Sequence, residues 1–439
     1  MAEKDRNRLT SPAAASVQVD PYDEEFQQRP FPFYERLRSE APVYRIPGQD
    51  WYMVTRMDLI REALRDPATF ANGVTRARRS LPPPEVMAEV EAIRAQGYRY
   101  QPALGLSDPP VHTRYRRLIN RAFTPRALTW MEPLVADVAR ELADALVDGA
   151  TVDIIDAITR PLPIYAILRI LGLGDERRVD VARWSDAATA SLGAKLTPQR
   201  WIETEWDILD FQQVISAELD ERRRNPRQDL LSTVVSDASG EPFGNGELVW
   251  LIRELLVAGN ETTTRAMAEI ILQLDKRPGA WRQIRDDPTM IPGIVEEGIR
   301  IAAPAIGMFR EVRSNTTLGG VDLPAGTTIY LVYGSGNRDE DVFPEPDQFD
   351  PTRKNLRDHL SFGHGIHVCV GAGLARMESA ATLRALADTV DYLHVDPDVS
   401  LKYIPSFFIR GLLELPVTVQ KRAPITCAAP TAGLSLRGR

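Results

Sequence analysis

The stretch that decides the fold is Ser361-Phe362-Gly363-His364-Gly365-Ile366-His367-Val368-Cys369-Val370-Gly371-Ala372-Gly373-Leu374-Ala375-Arg376. It packs several glycines and two histidines around one cysteine and then runs into a helical pattern. A cysteine just before a helix meets the positive end of the helix dipole and free backbone N–H groups. Both stabilise a thiolate. The glycines at 363, 365 and 371 let backbone approach closely, as a flat cofactor requires. Taken alone, a lone cysteine in a Gly-rich turn is more often buried and inert than reactive.

The order of residues changes that weighting. Phe362-x-x-Gly365-x-x-x-Cys369-x-Gly371 resembles the haem-binding signature of the cytochromes P450, in their soluble bacterial class. Thiolate is one of the few protein ligands to haem iron. The resemblance extends from about Asp20 to about Val419. It implies a mainly α fold, with a long central helix over the haem and small β-sheets at the edge. It also implies haem b with Cys369 as axial ligand, Phe362 beside the sulfur, and Gly363 and Gly371 close to the cofactor.

Other landmarks follow in the family's order. Ala258-Gly259-Asn260-Glu261-Thr262-Thr263 resembles the acid–alcohol pair on the family's central helix, with Ala258 facing the haem. Physically, Gly259 and a Thr262 hydroxyl that takes a backbone carbonyl can open a local bulge in a helix. Glu297-Gly298-Ile299-Arg300 matches the family's structural Glu-x-x-Arg, and its i, i+3 spacing puts both charges on one face. Two departures appear. Gly298 lowers helix propensity inside the motif. Gln348 stands where the family often has a third-member Arg, with Arg353 as the substitute. The resemblance assigns the haem propionates to His112, Arg116, Arg310 and His367. His112 and Arg116 are four apart on one helix face.

Composition is consistent with this and excludes other classes. The 439 residues are 44% hydrophobic and 26% charged, which suits a globular core rather than a disordered chain. A net charge of −8 argues against broad nucleic-acid binding. Two cysteines, Cys369 and Cys427, exclude a disulfide framework and a four-cysteine zinc site. No apolar run is long enough for a membrane span or a signal peptide. The expectation is a soluble, cytoplasmic monomer with no membrane or nucleic-acid partner.

Hydrophobic periodicity places helices at 31–40, 57–65, 112–122, 130–147, 197–224, 246–273, 279–287, 290–302 and 371–389. Shorter strand-like runs are VYRI (43–46), WYMVT (51–55), FREVR (309–313), TIYLVY (328–333) and LPVTV (415–419). Pro and Gly break 334–370 into a long irregular segment. Residues 1–20 and 423–439 read as tails around a single domain, 21–422.

The resemblance implies a monooxygenase that puts one atom of O2 into a substrate C–H bond and releases the other as water. Thr262 hydrogen-bonds the reacting dioxygen, and Glu261 relays protons. The haem domain is expected to use essentially all 439 residues, and two cysteines cannot hold a [2Fe–2S] cluster. Electrons then come from a separate ferredoxin or flavodoxin with its NAD(P)H-dependent reductase. Five arginines against one acid in 108–126 offer a docking patch for such a donor. Leu255, Ile306 and Phe408, with the loop 72–107, are expected to wall an apolar pocket for a terpenoid, steroid, fatty acid or polyketide. Arg76, Arg78 and Arg79 are a possible carboxylate anchor. A peroxide-using enzyme and a non-catalytic haem-thiolate protein are the alternatives, and an intact Glu261-Thr262 pair argues against both.

Overall fold

A computed structural model describes residues 20–72, 81–190, 196–237 and 241–423. The expected terminal tails, except Asp20 and Ala423, and Arg76, Arg78, Arg79 and Cys427 lie outside these residues. The apolar run VWLIRELLVAG (249–259) is too continuous for a one-sided surface helix. It forms the middle of a central helix, Asn245–Asp275, about 46 Å long at 1.5 Å per residue. Its first turn is closed by Glu247, whose carboxylate accepts the Gly244 N–H at 2.9 Å and an Arg114 N–H at 2.9 Å. Helices Pro161–Leu171, Arg178–Thr189, Pro198–Arg224, Ile291–Ala302 and Ala372–Thr389 pack around it.

The strands are β1 (Val43–Arg45), β2 (Trp51–Val54), β3 (Phe70–Ala71), β4 (Thr151–Asp153), β5 (Met308–Val312), β6 (Thr316–Leu318), β7 (Val321–Leu323), β8 (Thr328–Leu331), β9 (Val390–His394) and β10 (Pro416–Lys421). The main sheet has the order β1-β2-β8-β5-β3, with β2 and β8 parallel and the other pairs antiparallel. β4-β10-β9 and β6-β7 form two smaller sheets. Alternation along the strands splits the main sheet's side chains between two cores. Tyr52, Val54, Ile329 and Leu331 face one, and Trp51, Met53 and Tyr330 face the other.

Every expected helix and strand is present. The largest displacement of an end is three residues, 130–147 expected against Met131–Asp144 found. Helix Pro161–Leu171 was not expected. It is buried on nearly all sides, so it carries no amphipathic period, and Pro161 and Pro163 give it the look of a loop. Helices Pro84–Arg94 and Arg178–Thr189 are also unmarked in the sequence, as are the short strands β3, β4, β6 and β7 and the five-residue β9. The segment 334–370 is irregular as expected, with only three short helical turns at Tyr333–Gly336, Leu356–Asp358 and Gly365–His367. Among the described residues no helix is long and apolar enough to cross a membrane.

The structure supplies a reason for Gly298. A Cβ at that position would overlap the Ile270 side chain, so the glycine lets the Glu-x-x-Arg helix, Ile291–Ala302, seat against the central helix. Gly298→Ala gains about 1 kcal/mol of helix propensity but costs about 1–3 kcal/mol of overpacking. We expect a thermal midpoint lower by a few degrees in this variant. An unchanged or raised midpoint would show that Ile270 can yield.

Candidate active site

Gly363 and Gly365 hold φ angles of +69° and +72°, which a side chain would strain. A Cβ at Gly365 would also stand 2.7 Å from the Leu64 carbonyl oxygen. Together these bends turn the loop so that the Cys369 N–H donates to the Phe362 carbonyl at 2.8 Å. Gly371, in contrast, has no positive φ and caps helix Ala372–Thr389. Cys369 is exposed. Burial by the surrounding protein still pushes its thiol up, against the Gly371 and Ala372 N–H groups and the charges of Arg116 and Arg376, which favour the thiolate. A bound metal ion removes the thiol proton outright.

Two adjacent carboxylates brace this loop. Glu297, fully buried, accepts two hydrogen bonds from Arg300 at 2.7 and 2.8 Å and one from Arg353 at 3.0 Å. It also accepts the Asp350 N–H at 2.9 Å. Arg353 is therefore the third member of the network, and Gln348 contributes only its carbonyl oxygen. Glu296 faces the other way, to Arg376 at 2.5 and 2.7 Å and to His359 at 3.2 Å. Nδ1 of His359 accepts the Ser361 N–H, so its proton lies on Nε2 and points at Glu296. Arg376 in turn lies over the Phe362 ring at 4.4 Å. Phe362 is thus held by Arg376 from the helix that follows the cysteine. Glu296 was not marked in the sequence. The only signal is that two acids inside the buried run IVEEGIRIA need partners.

The assigned cations come partly together. The rings of His112 and His367 lie 4.3 Å apart, and Asn72 Nδ2 is 2.6 Å from His367 Nε2. Asn72 is a further member that the sequence did not mark, held through its N–H by Asp108 at 2.8 Å. His112 is buried, and its Nε2 has no hydrogen-bond partner among the described residues. Burial first, then the Arg116 charge, pushes its imidazole down. Arg116 donates to the Val368 carbonyl at 2.6 Å, one residue before the cysteine. Arg310 is buried in β5 and donates to the Phe309 carbonyl at 2.7 Å. His359 serves Glu296, and His364 lies in the field of Arg65 and Arg61.

On the central helix, Trp250, Arg253, Glu254, Val257, Ala258, Glu261 and Thr262 form one stripe along a cavity of about 850 Å³. Phe408, Ile409, Ala305 and Met308 close one side, and helices Pro84–Arg94, Arg178–Thr189 and Pro198–Arg224 line the others together with Tyr98, Tyr100 and Leu106 from the expected 72–107 loop. Phe408 is where the sequence put it. Leu255 and Ile306 are not in the wall. Leu255 sits about 100° around the helix from Glu254 and joins the main core, and Ile306 packs with Trp51 and Phe309. The wall is also less apolar than expected, since it includes Arg94, Glu205, Arg253 and Glu254. Cys369 does not line this cavity.

The Thr262 hydroxyl donates to the Ala258 carbonyl at 2.7 Å, yet the helix stays α-helical through 258–262, so the expected bulge is absent. A threonine can make this bond without breaking the ladder, because a carbonyl has two lone pairs. Glu261 is buried and locked to Arg265 at 2.6–2.7 Å. Arg265 also donates to the Leu412 carbonyl at 2.6 Å, with its stem against Gly411.

These residues fit a haem. One thiol with two N–H donors, the unsatisfied His112 nitrogen and nearby guanidinium groups suit an iron porphyrin with anionic propionates. A Cβ at Gly259 would meet nothing within 4 Å, so the helix has room on that side.

The Glu296 brace carries a pH signature. Burial pushes its carboxyl up, but hydrogen bonds from Arg376 and His359 outweigh that and hold it down to about 2, from 4.5. A depressed folded value contributes stability above 4.5 that is lost as pH falls toward 2. Glu296→Gln should lower the denaturation midpoint at neutral pH and flatten its fall in acid, so that the two curves converge. Parallel curves would show that Glu296 is not the titrating brace.

Comparison with known proteins follows the same line. The family model for Cytochrome P450 matches residues 208–398. Cytochrome P450 107B1 of Saccharopolyspora erythraea is 34% identical over 407 residues, covering 90% of this chain and 96% of that protein. Erythromycin C-12 hydroxylase of the same organism is 33% identical over 367 residues, covering 82% and 87%. The structure of cytochrome P450 CYP109Q5 from Chondromyces apiculatus superposes with a TM-score of 0.79 at 32% identity, covering 92% of this chain and 98% of that one. The chain belongs to the cytochrome P450 family of haem- and O2-using monooxygenases.

Proposed function

We propose that this monooxygenase hydroxylates a C–H bond of a largely apolar small molecule, with haem b ligated by Cys369 and electrons from a separate ferredoxin or flavodoxin. The observation that carries this reading is the helical stripe along the 850 Å³ cavity, which brings Ala258, Glu261 and Thr262 to one wall. Bound haem supplies the oxidising chemistry, putting one atom of O2 into the substrate and releasing the other as water with two electrons and two protons. Cys369 would hold the iron. His112, Arg116, Arg310 and His367 would answer the propionates, with Asn72 orienting His367. Ala258 and Gly259 would leave room for the cofactor beside the central helix. Phe408 and Val257 press the substrate toward Thr262 and exclude water.

Thr262 supplies a hydroxyl whose lone pairs remain open while its proton is held at the Ala258 oxygen. Turning that proton toward the reacting dioxygen costs one i−4 bond, on the order of 1 kcal/mol. Glu261 is kept near the pocket by Arg265, and its release from that ion pair is the step that lets it carry a proton. For the electron donor, Arg117 and Arg126 are exposed on or beside helix Val111–Asn120 with Arg121, which pairs with Asp237 at 2.9 Å, whereas Arg114 and Arg116 turn inward. A small basic patch suits an acidic protein donor.

Thr262→Ala should leave haem binding intact, cut product formed per NADH or NADPH consumed several-fold, and raise hydrogen peroxide release. Coupling unchanged with a turned-over substrate would remove Thr262 from proton delivery.

A further inference from the structure

The chain that brings Phe408 and Ile409 to the substrate cavity also borders a second pocket. It doubles back as a hairpin, with the Ile404 N–H on the Gly411 carbonyl at 2.9 Å and the Leu413 N–H on the Lys402 carbonyl at 2.8 Å. Lys402, Tyr403 and Arg410 of this hairpin line a pocket of about 530 Å³, together with Glu24, Arg29 and Phe31. Gln28 ties the two parts together. Its amide donates to the Tyr403 carbonyl at 2.9 Å and accepts the Tyr403 N–H at 2.8 Å. Three cations stand here against one acid, Glu24, in a chain whose net charge is −8. Arg29 and Lys402 are exposed and Arg410 is half-buried, and among the described residues none of the three pairs with a carboxylate. The Arg410 guanidinium lies 3.6 Å over the Tyr403 ring and 4.9 Å from the Phe31 ring. Of its five N–H donors it spends one, on the Gln28 carbonyl at a long 3.4 Å. Buried Arg338 brings a further guanidinium to within 3.4 Å of the Phe31 ring, and its charge and that of Arg410 oppose each other.

We propose that this pocket is a second ligand site, for a small organic anion with a planar apolar body, and that its occupancy alters the substrate cavity. A guanidinium held flat by aromatic rings is pre-organised to receive a carboxylate in two parallel hydrogen bonds. Arg29 and Lys402 add charge at the rim, and Phe31 offers the apolar contact. The link to the cavity is short. Ile409 and Phe408 stand one and two residues before Arg410 and form part of the cavity wall. The Arg410 N–H donates to the Pro304 carbonyl at 2.9 Å, and the Ile306 N–H donates to the Phe408 carbonyl at 3.0 Å. Two residues after Arg410, the Leu412 carbonyl holds Arg265, the partner of Glu261. An anion that re-seats Arg410 therefore acts on the cavity wall through one continuous backbone. Linkage makes the effect reciprocal, so a cavity ligand changes the affinity for the anion by the same factor.

The test uses haem-loaded protein saturated with phenylimidazole, which ligates haem iron and fills the cavity beside Thr262. Binding of naphthoate and of its neutral counterpart, naphthylmethanol, is read by calorimetry. Wild type should bind the acid at least about tenfold more tightly than the alcohol, as expected for charge-assisted hydrogen bonds. Arg410→Gln should bring the two within about twofold. The double variant Arg29→Gln with Lys402→Gln changes only exposed side chains and decides if Arg410→Gln does not fold. It should weaken naphthoate binding by at least about threefold. In a second titration, saturating naphthoate should shift the phenylimidazole affinity, read from the haem spectrum, by at least about fivefold in wild type and not in Arg410→Gln. Equal binding of acid and alcohol, no binding of the acid, or a preference that survives Arg410→Gln or, where that variant does not fold, the double variant, each overturns the site. A phenylimidazole affinity that naphthoate leaves unchanged, or shifts equally in Arg410→Gln, overturns the link to the cavity.

Discussion

A carboxylate sealed from water must be answered from within the protein, and the arrangement around Glu297 is the consequence. Arg300 answers it from one turn along its own helix, while Arg353 and the Asp350 N–H answer it from the irregular segment that leads to the cysteine. Removing one partner of such a buried group costs about 3–5 kcal/mol. That is large against a typical domain stability of about 5–15 kcal/mol. The segment 334–370 has no sheet ladder to order it. Its order comes from side chains that bond its backbone, such as Arg353 to the Pro344 and Glu345 carbonyls and Arg300 to that of Asn337. Glu296, turned to Arg376, fixes the far side of the same loop. The cysteine is held between two carboxylate anchors on one helix.

The central helix serves two environments at once. One side, with Leu251, Ile252, Leu255 and Leu256, belongs to the core. The other, from Trp250 to Thr262, faces the cavity. A single register shift would exchange the two, so the seat of this helix against Ile291–Ala302, made possible by Gly298, bears directly on which residues meet substrate. The position of Glu254 against Leu255 shows how sharp the division is.

Much of this was legible in the sequence because its physical causes are local. The Gly-rich turn before Cys369, the helical periods and the i, i+3 pair of Glu297 and Arg300 all act within a few residues. Arg353 was foreseen as a substitute for the missing third arginine, and the contacts give it that place. The rest is long-range. Glu296 meets partners 63 and 80 residues away, and Asn72 meets His367 across 295. Nothing in spacing announces such pairs. The pocket wall was misjudged at Leu255 and Ile306 because a helix buried on every side gives no period to tell core from cavity. The bulge at Thr262 was expected from chemistry that the helix accommodates without it.

The central claim is that Cys369, as a thiolate, holds the haem. Its most direct test is the spectrum of the dithionite-reduced protein with and without carbon monoxide, for wild type and Cys369→Ser. The account predicts the strongly red-shifted Soret band of a thiolate-ligated haem in wild type and its loss in the variant. A band at the position of a histidine-ligated haem in fresh wild type, or a red-shifted band that survives Cys369→Ser, would contradict it.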